Sequence, residues 1–332
     1  MHASYRRGTV AIIWLSIFCV AATILHSRAT QSPSASAAQK PALHSSPATP
    51  QAALTDQQPP FDKLELFGLF AAGPIAPYAN QVIHKRGCTF MPDATFIAAF
   101  PTPAFQEILE NIKPRTLKKS SPDRDAAYAL LQSALSATHH RQFAVSDENY
   151  QEALKLAPFS ATLHLAYAAN LLLIPDGLKA ESEARRSLEL WPDNAEAHGI
   201  LSLAFMAQRN VAGAVAEARE TLRIFPQHTS AKFQLAVALA QNHQYEEAIP
   251  ALRNALLVLP SVPTLHKFLG ISLLQTKQTD DAIAELTLYI HADPTDPEGH
   301  YFLGTTLRAA GRQAEADSQL QQAARLKSRN SQ

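Results

Sequence analysis

Residues Trp191 to Phe205 read WPDNAEAHGILSLAF. His198 follows Glu196 by two residues and Asp193 by five. Acids and an imidazole so grouped can hold a metal ion or move a proton. The longer sequence gives the stretch another meaning. Pro192 belongs to a series, Pro158, Pro192, Pro226, Pro260 and Pro294, spaced by 34 residues without an insertion. A fixed period of that length marks a repeat array. Pro192 therefore closes one unit, Asp193 and Asn194 turn the chain, and His198 enters the first helix of the next.

With each proline at position 32, the units begin at Ala127. Position 8 is then Ala134, Ala168, Ser202, Ala236, Gly270 and Gly304, and position 20 is Ser146, Ala180, Ala214, Ala248, Ala282 and Ala316. Position 27 is Ala153, Ser187, Thr221, Ala255, Tyr289 and Ala323. Small residues recur where two helices approach closely. Positions 7 and 11 are large and apolar, as in Leu201 and Phe205, which is what a buried helix face requires. The period, the small residues and the proline resemble the tetratricopeptide repeat family over six units, some three-fifths of the chain. The expected fold is all-α, an α-solenoid of helix-turn-helix units spanning 127–160, 161–194, 195–228, 229–262, 263–296 and 297–330. Each unit leaves an apolar face that only its neighbours cover. The resemblance further implies a right-handed superhelix with a concave inner face. The sequence departs from the family in three places. Position 4, usually tryptophan, is Leu130, His164, His198, Lys232, His266 and His300. Tyr289 is large for position 27, and the last unit has Ser328 in place of proline.

Four histidines at one repeat position are a repeat feature. Ligands of one zinc ion must converge, whereas equivalent positions of stacked units lie about 10 Å apart. A structural role is expected, with metal binding by these histidines as an alternative. No G-x-S-x-G, Walker or dinucleotide motif occurs. The chain reads as a non-enzyme without a cofactor.

By the resemblance, positions 2, 5, 9, 12 and 13 of each first helix line a groove for protein or peptide partners. They include Leu131, Leu165, Leu172, Leu203, Met206, Phe233, Val237, Lys267, Ile271, Leu274, Tyr301 and Arg308. This mostly apolar lining suits an apolar peptide or an amphipathic helix. It lacks the dense lysine, asparagine and arginine set of family members that clamp a terminal carboxylate. The other possibility is that the N-terminal module or a second copy fills the groove.

Outside the array, Arg6 and Arg7 precede Thr9–Leu25, a 17-residue run without charge. This is the pattern of an export signal or a membrane anchor, so residues 1–29 direct the rest of the chain out of the cytoplasm, to the periplasm. Residues 30–60 are poor in large apolar side chains and read as a disordered linker. Residues 61–114 form a small helical module, with Gly87 as a helix stop, Asp93 as a helix start and Thr102-Pro103 as another start. The piece KRGCTF resembles a segment of exported bacterial repeat proteins. Residues 115–126 are a second linker. With Cys19 in the apolar run, Cys88 stands alone and reads as a small buried hydrophobe. The 29 basic and 29 acidic residues give no basic excess for nucleic acid. The expected function is a protein-interaction scaffold of the cell envelope, with a secretion or assembly factor handling exported clients as the alternative.

Overall fold

The computed structural model describes residues 58–329 apart from 74–75, 101–102, 113, 115–116 and 175. The expectations for residues 1–57, and for Thr102 as a cap, lie outside the described residues. Four short helices come first: α1 (Lys63–Ala71), α2 (Ala76–Arg86), α3 (Ala94–Ala98) and α4 (Pro103–Glu110). The solenoid follows as six antiparallel pairs. These are α5 (Pro122–His139) with α6 (Phe143–Leu156), α7 (Ala161–Leu171) with α8 (Gly177–Leu190), and α9 (Ala195–Ala207) with α10 (Val211–Ile224). Then come α11 (Thr229–Gln241) with α12 (Tyr245–Val258), α13 (Pro263–Gln275) with α14 (Thr279–Ala292), and α15 (Pro297–Ala309) with α16 (Gln313–Arg329). The first helix begins at Pro122, five residues ahead of the 34-residue frame, and the last runs through Ser328 to Arg329.

Local chemistry explains these boundaries. The side chains of Ser121, Ser160, Asn194, His228 and Asp296 accept backbone N–H groups at the starts of α5, α7, α9, α11 and α15. Proline opens α5, α13 and α15, where its missing N–H costs no helical bond. In five of the units the turn between the helices uses a left-handed residue at position 15. Arg141, Arg209, His243, Lys277 and Gly311 have φ of 57°, 61°, 58°, 63° and 76°. Gly311 is the one glycine among them, and in the second unit Asp176 caps the start of α8, its Oδ1 accepting the Lys179 N–H at 3.0 Å.

The small repeat positions are buried. Ala134, Ala168, Ser202 and Ala236 are fully covered, as are Ala180, Ala214, Ala248, Ala282 and Ala316. Tyr289 fits its position because its neighbour gives way. A β-carbon on Gly299 would lie 2.6 Å from Tyr289 Cε1. In the first and fourth units the sizes are reversed, with Ala153 facing Leu163 and Ala255 facing Leu265 in the same register. The tyrosine hydroxyl donates to Asp296 Oδ2 at 2.6 Å.

The N-terminal module has its own aromatic core, in which Phe67, Phe70, Phe96, Phe100 and Phe105 pack ring to ring. Gly87, at φ 76°, stops α2, and Asp93 caps α3 by accepting the Phe96 N–H at 2.8 Å. The KRGCTF piece pairs with Phe61: the Phe61 N–H donates to Gly87 O at 2.8 Å and the Thr89 N–H to Phe61 O at 2.9 Å. Cys88 lies buried in that bridge, and burial pushes its thiol pKa up to about 12, which keeps it protonated and inert.

Candidate functional site

At 100° per residue, positions 2, 5, 9, 12 and 13 fall within an arc of about 100° on each first helix. That arc therefore forms one continuous face along α5, α7, α9, α11, α13 and α15. At its N-terminal end the face is covered by the chain itself. Helix α1 crosses α7 at Gly68, where an added β-carbon would lie 2.9 Å from the Thr162 carbonyl carbon. Thr162 is position 2 of its unit, and its hydroxyl donates to Glu65 Oε2 at 3.1 Å. Ala71 lines a small cavity with Ala169 and Leu173, positions 9 and 13 of the same unit. Arg124 pairs with Asp62 and Glu65 and ties α5 to the start of α1.

Helix α2 extends the cover to the third unit. The Ala195 N–H donates to Tyr78 Oη at 2.9 Å, and that hydroxyl donates to Asn194 Oδ1 at 3.3 Å. Tyr78 also packs on Phe225 with ring centres 5.4 Å apart. The Arg86 guanidinium lies 3.7 Å from the Phe61 ring centre and 4.7 Å from that of Trp191, a cation held between two aromatic faces. Every residue of α7 is buried as a result.

The expected groove residues thus divide. Leu131, Leu165 and Leu172 are buried at the end that the module covers. Phe233 and Val237 are buried within the solenoid, so neither offers a partner a free surface. Lys267 is buried as well, with Nζ 2.9 Å from Asp296 Oδ2 and a second pair to Glu298. It is an internal cation and does not recognise an anionic ligand. Arg308 is exposed and sits 3.4 Å from Asp317. Leu203, Met206, Ile271 and Leu274 are half-buried and Tyr301 is 52% exposed, leaving a strip of apolar surface on the third, fifth and sixth units.

The strip carries no free charge between Leu203 and Tyr301. Glu196 is buried, with Oε1 3.2 Å from His228 Nε2. His228 Nδ1 accepts the Ala231 N–H at 3.2 Å, so the ring caps α11 with one nitrogen and faces the carboxylate with the other. Asp296, beneath the fifth and sixth units, is buried as well. Burial pushes its pKa up, but the Lys267 ammonium, helped by bonds from Tyr289 and the Glu298 N–H, outweighs this and holds it below the ordinary carboxylate value.

The position 4 histidines do not face this strip. Each reaches across to position 23 of its own second helix: His164 to Glu183, His198 to Glu217 and His266 to Glu285, with Nδ1 2.6 Å from the carboxylate in all three. His300 makes the same contact with Gln319 at 2.6 Å. In three units Nε2 donates to the carbonyl of the preceding unit's proline, Pro158, Pro192 or Pro294, at 3.1 Å. Each such histidine therefore joins two helices of one unit to the end of the previous unit. Where position 4 is Leu130 or Lys232, position 23 is Asn149 or Ala251 and the staple is missing from both sides. That pairing, nineteen residues apart, is readable in the sequence once both columns are aligned. Among the described residues no three His, Cys, Asp or Glu side chains come together in a way that could hold one metal ion.

Residues 177–229 and 233–297 match the family model described as tetratricopeptide repeat. No curated protein matches the chain. Among solved structures, MamA from Desulfovibrio magneticus RS-1 is similar at 18% identity and a TM-score of 0.47, covering 50% of this chain and 94% of that one. YrrB, a TPR protein with an unusual peptide-binding site, is similar at 18% identity and a TM-score of 0.48, covering 54% of this chain and 93% of that one. The units within residues 177–297 are tetratricopeptide repeats by that match.

Proposed function

We propose that this tetratricopeptide repeat protein is a non-enzymatic interaction scaffold of the cell envelope, and that it holds a protein or peptide partner on the open strip of the third, fifth and sixth units. One observation carries the reading. The same helix face that buries α1 at unit two carries apolar side chains that are half-buried or exposed at Leu203, Met206, Ile271, Leu274 and Tyr301, on the third, fifth and sixth units. A face already used to bury one helix is fitted to bury another. The family match supports a protein-binding role. The envelope location is supported by Arg6, Arg7 and the uncharged run Thr9–Leu25. Among the described residues no helix is long and apolar enough to cross a membrane, and the run lies outside them.

The test uses accessible positions, since a charge at buried Phe233 would disrupt the fold. Leu203→Glu combined with Leu274→Glu is expected to abolish partner capture by affinity purification from envelope extracts, with helicity by circular dichroism unchanged. Capture at the wild-type level would move the binding surface elsewhere.

A further inference from the structure

We propose that the small cavity beside α1 is a site for one ordered water, which bonds Tyr150 Oη and Asn170 Nδ2 and so links the first two repeat units. Four observations lead to it. First, both atoms are buried, and neither reaches a hydrogen-bond partner among the described residues. Tyr150 is fully covered and Asn170 is 4% exposed. Polar atoms at that depth are costly unless something bonds them. Second, both side chains line the cavity, which measures about 10 Å³. That is close to the least volume that admits a water molecule, and it leaves no room for a larger ligand. Its apolar walls include Ala71 of the N-terminal module, Leu135 of α5 and Leu173 just past α7, and no charged residue lines it. Third, the surrounding protein groups are already engaged. Thr138 Oγ1 donates to Asn170 Oδ1 at 2.5 Å, and Ser146 Oγ lies 2.7 Å from Thr138 Oγ1. These hydroxyls hold the oxygen end of the amide, which leaves its nitrogen end for another acceptor. Burial pushes the Tyr150 phenol pKa up, so the ring keeps its proton and can donate as well as accept. Water both donates and accepts, which suits this pair, whereas an anion would meet no cation here. Fourth, the pair is particular to this junction. Asn170 is position 10 of the second unit and Tyr150 position 24 of the first. At the next two junctions the same positions hold Ala204 with Ala184, and Ala238 with Ala218. Repeat packing is satisfied there by small apolar residues, and the polar pair occurs where α1 meets the array.

The test uses the full chain and has two arms. A crystal structure is expected to show an ordered water within about 3.2 Å of both Tyr150 Oη and Asn170 Nδ2. The second arm is Tyr150→Phe, which keeps the stacked ring and removes only a hydroxyl that has no protein partner. From protein contacts alone, that change relieves a buried orphan and raises the urea midpoint. With the water in place it takes away one of the water's bonds, so the midpoint is expected to fall. The same variant, crystallised, is expected to lose the water. A midpoint that holds or rises in Tyr150→Phe, or a wild-type cavity without a water bound to both atoms, would overturn the proposal.

Discussion

Gly68 touches Thr162 backbone to side chain, with no room for a β-carbon between α1 and α7. Their crossing fixes the N-terminal module on the solenoid. Gly68→Val is expected to destabilise that docking by about 1–3 kcal/mol, the usual cost of overpacking a tight contact. Hydrogen exchange checks this. Amides of 63–110 should lose protection while those of α11–α16 keep theirs. Uniform loss along the chain would mean that module and array unfold as one unit.

The His198–Glu217 staple lends itself to a double-mutant cycle. His198→Ala and Glu217→Ala are expected to show a coupling of about 0.5–1.5 kcal/mol in urea unfolding. The unit that lacks the staple offers the converse. Lys232→His with Ala251→Glu should gain part of that amount, whereas either change alone should not.

Asp296 predicts an acid-side weakness. Its carboxylate accepts from Lys267, from the Tyr289 hydroxyl and from the N–H groups of Glu298 and Gly299. Its folded pKa lies below the ordinary 3.8. The stabilisation is therefore complete above that value and is lost as pH falls through the lower, folded one. Asp296→Asn should cost about 3 kcal/mol at pH 7, because it leaves Lys267 buried without its main partner. The gap between wild type and variant, followed by urea midpoints, should narrow steadily below pH 3.8. A gap constant down to pH 2 would show that Asp296 acts only as a helix cap.

Four left-handed turn positions carry side chains, and Arg209 and Lys277 are two of them. Arg209→Gly and Lys277→Gly are each expected to stabilise the array by about 0.5–1 kcal/mol, because glycine adopts this conformation without steric cost. Thermal unfolding checks this. A lower midpoint would mean that the arginine or lysine stem packs usefully on its neighbours.

The solenoid was legible in the sequence because repeat packing is local. Each small residue at position 8 or 20 meets a neighbour within one unit, so the same pressure recurs every 34 residues. The compensation between Tyr289 and Gly299 spans ten residues and the staple spans nineteen, and both are visible once the register is known. The coverage of the groove was not visible in this way. It depends on contacts such as Glu65 with Thr162 and Tyr78 with Asn194, which are 97 and 116 residues apart and occur once each. Periodicity contains no signal for a contact made once. The repeat register puts the groove positions on one face of each first helix, but which of them are exposed depends on the module and on packing within the array.

The bond from Gln58 to the Leu190 carbonyl also decides where force enters the molecule. A pull on the chain ahead of residue 58 enters at the N-terminal module and at the junction of the second and third units, not at either end of the array. The first units and the module lie to one side of that point and take up the strain through Arg86, Trp191 and Tyr78. The units that bear the open strip hang beyond it as an unloaded arm. A ligand seated there would feel little of such a pull, so its lifetime should be nearly independent of mechanical load.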